Sequence, residues 1–289
     1  MLVTRRHGEL ELLTQPDHAG IAGALAELWG GGGFEVPAPR AALLCAATHH
    51  DDGWLELDTQ PAYNPDAARP AHFTEIPLAE SVGPYGRGVR SVYARDQLAG
   101  VLCSMHWSGF STSRWGAGGD RASENPLALE VVASQEARWM PALREVWGNR
   151  GRRSEFDAHA WHAYEILQAV DLLSLGLGLM DADIPGDGHE PVAVAASLST
   201  VEQGASPRTI GNVPLAAGVG AKTVTLTLTA LGRGRVELEP YPLVGERAVI
   251  EIPVRRIPDR RYGSPAEASS AYHAARPQSR QVELVARAR

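Results

Sequence analysis

Leu43-Leu44-Cys45-Ala46-Ala47-Thr48-His49-His50-Asp51-Asp52-Gly53 begins as an apolar helix and closes on four consecutive ionisable residues. Residues three and four apart share a helix face. His50 therefore stands over Leu43, Ala46 and Ala47, and Asp51 over Leu44 and Ala47, so the apolar stripe carries both of them inward. His49 is turned about 100° from His50 and is left outside. A carboxylate on such a face is costly unless a cation or hydrogen bonds compensate it. Whatever neutralises Asp51 sets the reading of the rest of the chain.

Three other segments place similar groups on apolar faces. Gln15-Pro16-Asp17 opens a helix with Asp17 as its expected cap, and His18 shares a face with Ile21, Ala22 and Leu25. His106 follows Gly100, Leu102 and Cys103. Asp171 lies with Tyr164, Leu167, Gln168, Ser174, Leu175 and Gly178. One divalent metal would satisfy these groups together, since imidazole and carboxylate suit Mn, Fe, Co, Ni or Zn. The order His, His-Asp, Asp, each on its own helical turn, is the strongest functional signal in the chain.

Around these segments, residues 2–14 read as a β-hairpin turning at His7-Gly8. Helices are expected from Asp17 to the Gly30–Gly33 run, from Arg40 to Gly53, over 87–108, over 126–147 and over 155–180. Residues 55–85 are Pro-rich and read as a long irregular loop bordering the site, as does the Gly-rich stretch 111–125. Beyond Pro185-Gly186-Asp187-Gly188 the composition changes. Residues 223–231 (TVTLTLTAL), 235–240 (RVELEP) and 248–254 (AVIEIPV) are strand-like, with a helix near 265–275 and a last strand near 280–286. The expected class is α+β, with an all-helical bundle over residues 1–188, hairpin included, and a β-rich part over 189–289.

His18-Ala19-Gly20-Ile21-Ala22-Gly23, the His50-Asp51-Asp52-Gly53 segment and Gln168-Ala169-Val170-Asp171-Leu172 resemble the metal-binding helices of the HD-domain superfamily over roughly residues 15–180. That resemblance implies a helical bundle with one or two divalent metals, in phosphohydrolases or, less commonly, di-iron oxygenases. TQPDHAGIAG (14–23), HHDDGW (49–54), SMHWSGF (104–110), LQAVDLLSL (167–175) and EPYPL (239–243) resemble, within it, a bacterial family filed as domain of unknown function 3891. Trp54 stands where many phosphodiesterases of the cyclic-dinucleotide class carry Lys, which argues against that activity.

The resemblance implies His18, His50, Asp51 and Asp171 as metal ligands. His106 would orient substrate or join a second metal, and Asp52 or another acidic group would relay protons. His159 and His162 are placed off the Asp171 face, as surface or second-layer residues. The expected activity is hydrolysis of a small-molecule or nucleotide phosphate ester. A di-iron oxygenase is the alternative, with His72 and His106 completing about six ligands; a non-enzymatic metal-containing sensor or interaction module is another.

Composition narrows the partners. The chain has 289 residues and a net charge of −7, with the signs interspersed, so a nucleic-acid-binding face is not expected. No apolar run reaches the ~18 residues of a membrane helix, and the N-terminus does not read as a signal peptide. Two cysteines, Cys45 and Cys103, read as free thiols in a reducing cytoplasm. The β-rich part is expected to cover the site or to pair copies into a homo-oligomer. Gly218–Thr223 lacks the second Gly and the following helix of a phosphate loop. Asp181–Gly186 lacks calcium ligands at Pro185 and Val192 and reads as a turn.

Overall fold

A computed structural model describes residues 1–112, 125–185 and 208–287. Arg114 and Arg121 of the Gly-rich stretch, the composition change at 186–188, Val192 and the expected boundary at residue 188 lie outside the described residues.

Strands β1 (Leu2–Arg6) and β2 (Glu9–Leu13) form the expected hairpin. His7 and Gly8 both take positive φ, 51° and 81°, which matches the right-handed twist of the flanking strands. Helices α1 (Gln15–Leu28) and α2 (Arg40–His49) follow, then a 3-10 turn at Asp52–Trp54. The cap of α1 is Thr14, whose hydroxyl accepts from the Asp17 amide; Asp17 sits in the first turn.

The stretch 55–85 is more ordered than its Pro content suggests. It holds α3 (Leu55–Thr59), the short pair β3 (Tyr63–Asn64) and β4 (Arg69–Pro70), and the start of α4 (Leu78–Arg95). The single helix expected over 87–108 is two, α4 and α5 (Gln97–Thr112). Asp96 between them is extended, and its carboxylate accepts from the Ala99 amide, so it stops one helix and caps the next. Helices α6 (Pro126–Trp147) and α7 (Arg153–Leu179) complete the helical half.

The remaining strands are β5 (Arg208–Pro214), β6 (Thr223–Gly232), β7 (Arg235–Glu239), β8 (Arg247–Pro258) and β9 (Gln278–Ala286), with α8 (Pro265–Ala274) before the last. Here the expected class is overturned. The N-terminal hairpin does not belong to a helical bundle: β2 pairs antiparallel with β8, Glu9 opposite Pro258 through Leu12 opposite Arg255. One seven-stranded sheet results, in the order β1-β2-β8-β9-β7-β6-β5. Neighbouring strands are antiparallel except β7 and β9.

The architecture is thus mixed α/β, with helices laid on a sheet built from both ends of the chain. Alternation along the hairpin explains it. Leu2 and Leu13 enter a core shared with Leu25, Leu43, Leu102, Leu167, Leu228 and Ile252. Met1, Val3, Leu10 and Leu12 face the other way, onto Ile257, Tyr262 and Tyr272. A hairpin buried on both faces cannot stay at the margin of a bundle. Helix α7 reaches it through Gly178, where a Cβ would lie 2.9 Å from Leu2 and 3.0 Å from Leu13. Among the described residues, no helix is long and apolar enough to cross a membrane.

Candidate metal centre

Small residues let the helices approach closely enough to build the site. A Cβ on Gly23 of α1 would lie 2.2 Å from the Thr48 hydroxyl on α2, so the two helices cross nearly in backbone contact. The glycine that ends the His-Asp segment has a comparable reason. A Cβ on Gly53 would lie 1.9 Å from the Pro84 carbonyl oxygen and 2.8 Å from the Gly88 nitrogen of α4. These contacts hold the first turn of α1 beside the end of α2, while α5 and α7 supply the remaining walls.

His18, His50, Asp51, His106 and Asp171 all come together in the core, each less than 5% exposed. Their ligand atoms form two overlapping groups, His18-His50-Asp51 and His50-His106-Asp171, and within each group the atoms lie within 4.8 Å of one another. Asp171 Oδ1 is 2.8 Å from His18 Nε2 and 3.2 Å from His50 Nε2, and Asp171 Oδ2 is 3.8 Å from His106 Nε2. Asp51 Oδ2 is 3.7 Å from His50 Nε2 and 4.0 Å from His18 Nε2.

The far side of each ring fixes its tautomer. His50 Nδ1 donates to the Ala47 carbonyl at 2.9 Å, and His106 Nδ1 to Gln168 Oε1 at 2.7 Å. The Ser174 hydroxyl donates to the Asp171 carbonyl, so its oxygen accepts from His18 Nδ1 at 2.6 Å. With all three Nδ1 atoms turned outward to acceptors, three Nε2 atoms converge on two carboxylates, His18 Nε2 within hydrogen-bond distance of Asp171 Oδ1. His50 Nε2 and His106 Nε2 are buried without a hydrogen-bond partner. Among the described residues, the ion pairs of Asp51 and Asp171 are with histidines alone, none with Arg or Lys. Gln15 Nε2 also donates into this set, to Asp51 Oδ2 at 3.2 Å.

Three imidazole nitrogens and two carboxylates gathered in a buried site match the donor set of a divalent transition metal. These buried groups can hold a metal ion. Hydrogen bonds on the outer nitrogen of a ligating histidine are the usual support of such a site.

In the absence of a cation, the charges distort the titration of the centre. Burial alone lowers His50, but the Asp51 and Asp171 carboxylates outweigh it and push the imidazole up to about 9. Burial pushes His106 down to about 4, against the pull of Asp171. Burial raises Asp51 more than His50 and His18 lower it. Asp171 goes the other way: burial raises it, yet His106, His18 and His50 together hold it far below the usual carboxylate range.

The other expected residues are elsewhere. Asp52 is a quarter exposed and bound by His49 Nδ1 at 3.0 Å and by Arg95 at 3.1 Å, outside the converging atoms. His72 is buried in a different place, beside the Arg69–Glu75 pair, with its Nδ1 against the Thr74 hydroxyl at 2.9 Å. The six-ligand set of the oxygenase alternative is therefore not assembled. His162 is buried, which leaves the second-layer placement of the two expected, and among the described residues neither of its nitrogens has a hydrogen-bond partner. It is not among the gathered ligand atoms. Cys103 lies in the core with Sγ facing the Ala46 carbonyl, its thiol raised by burial.

Gln15, Gln168 and Ser174 were not foreseen as supporting residues. The signal for the last two was present, since both share the face of Asp171. Gln168→Leu should leave the fold intact but lower metal affinity about 10–100-fold, because His106 loses the acceptor that fixes its tautomer. Competition against a chromophoric chelator measures it; unchanged affinity would show that His106 needs no such support.

The family described as "Protein of unknown function (DUF3891)" matches residues 1–259, from the hairpin through β8. No curated protein and no solved structure gives a match.

Proposed function

The chain belongs to the DUF3891 family, and we propose that this member is a metal-dependent hydrolase of the HD type, acting on a phosphate ester of a small molecule. The observation that carries the reading is the convergence of three imidazole Nε2 atoms and two carboxylates with no Arg or Lys paired to them among the described residues. The order His, His-Asp, Asp supplies the likeness to HD-type centres, and with it the phosphate.

In this reading His18, His50, Asp51 and Asp171 hold the ion, with His106 as a fifth ligand or as the group that holds substrate. A divalent Mn, Fe, Co, Ni or Zn ion there supplies Lewis acidity and lowers the pKa of a water, which makes a nucleophile at neutral pH. The chain's own residues do the rest. Ala47, Gln168 and Ser174 hold the imidazoles with their lone pairs inward, and Gln15 fixes one oxygen of Asp51. All five groups are themselves nearly fully buried, which strengthens every charge interaction inside.

The test is elemental analysis of protein purified without added metal, followed by assay against phosphomonoesters and phosphodiesters. The expected result is bound divalent metal and turnover of at least one ester class. Turnover should stop with chelator and return on adding the ion back. Protein that keeps its metal but turns over no phosphate ester would overturn the reading.

A further inference from the structure

We propose that the first half of α4, Leu78–Tyr85, is a gate that unravels at Gly83–Gly86 and so admits the ion to the buried centre. This rests on the metal reading of the centre and not on the ester chemistry. All five gathered side chains are less than 5% exposed, so an ion reaches them only when part of the wall moves. Most of the wall is tightly held. Helices α1 and α2 cross nearly in backbone contact at Gly23 and Thr48. Helix α5 is buried from Leu98 to Gly109, and α7 from Ile166 to Leu179. Helix α4 closes the remaining side. Its Pro84 carbonyl and Gly88 nitrogen press on Gly53, and a Cβ on Gly88 would lie 3.3 Å from the His50 carbonyl oxygen.

Three observations set the first half of α4 apart from the other walls. Val89 and Val92 bury the second half, whereas in the first half Ser81 and Pro84 are buried and Leu78, Val82 and Tyr85 only half-buried. The helix is also weak there. Pro84 has no N–H to give the Glu80 carbonyl, so one rung of the helix is missing. Gly83 and Gly86 flank it, and each weakens a helix about fivefold relative to Ala. Finally, an open groove of about 980 Å³ runs between α3 and α4, lined by Gly53, Leu55, Glu56, Thr59, Pro84 and Arg87, which leaves displaced residues room. The exposed Arg87–Glu56 ion pair crosses it at 2.9 Å, and exposed pairs hold weakly. A segment with few buried contacts and a missing hydrogen bond opens before the core around it does.

The test is stopped-flow measurement of Co2+ uptake, and of Co2+ release to excess chelator, on the full chain and on its Gly83→Ala/Gly86→Ala variant. At these positions a Cβ would meet the guanidinium ends of Arg87 and Arg90, at 3.5 and 3.4 Å, so the variant stiffens the helix without crowding it. A gate stands between the same two end states, so uptake and release should both slow about tenfold while affinity stays within about twofold. Amide exchange of the metal-free wild type is the second measurement: Val82–Arg87 should exchange at least about tenfold faster than Val89–Val92. Unchanged rates in the folded variant, a change confined to uptake or to release, or equal protection of the two halves would each overturn the inference and leave the metal and hydrolase readings standing. If the wild type binds no Co2+, the metal reading falls and the gate with it.

Discussion

Asp171→Asn should empty the centre, with metal affinity falling by more than about 100-fold, beyond what loss of a supporting hydrogen bond costs. The substitution keeps shape and volume but removes the charge on which two of the three Nε2 atoms converge most closely, at 2.8 and 3.2 Å. It also leaves one side-chain oxygen in place of two, so that either His18 and His50 together or His106 alone faces an NH2 group. Asp51→Ala should behave alike, since Asp51 closes the other ligand group. Elemental analysis after gel filtration, with circular dichroism to check folding, measures both. Full occupancy in either folded variant would remove that residue from the ligand set.

Metal affinity should also climb steeply with pH, about tenfold per unit from pH 7 to 9, and flatten above 9. The sign follows from His50. In the metal-free centre its pKa is pushed up to about 9 by Asp51 and Asp171, which outweigh the effect of burial. Ligation requires neutral imidazole, so below that value one proton must leave for each ion bound. His106, pushed down to about 4, is already neutral and contributes none. The stability of the metal-free protein should run in the opposite direction. A group whose folded pKa is raised contributes stability that is fully present below its unfolded value, near 6.5, and is lost as pH rises through about 9. Competition titrations across this range, beside thermal melts of the chelator-treated protein, read the two curves. A pH-independent affinity would mean that His50 is not the proton-bearing ligand.

The cluster was legible in the sequence because its His and Asp residues sit on helices or at a helix end. His18, His50, Asp51 and Asp171 each lie on a stripe of small and apolar residues, and the 3.6-residue period turns that spacing into a direction. Direction alone was enough to exclude His49 and to keep His162 out of the ligand set. It could not give the depth of His162. Only packing decides whether a face opposite Asp171 meets solvent or another layer, and here it is buried. Asp52 stands apart from the five groups for a related reason: the chain tightens into a 3-10 turn at that point and turns its carboxylate to His49 and Arg95.

The sequence by itself determined most of the helices, several strands and the five groups that converge. It also determined the glycines that let helices touch, though not what each one touches. Only the tertiary structure decided that the N-terminal hairpin joins β8, across more than 240 residues of chain, to make one sheet. Strand pairing is set by which partner buries both faces, and local periodicity carries no information about a partner so distant in sequence. The same holds for the inner electrostatics. That three imidazoles present Nε2 to two carboxylates depends on Ala47, Gln168 and Ser174 standing behind them. Hydrogen bonds between α5 and α7, or between α1 and α7, form only once the helices have packed.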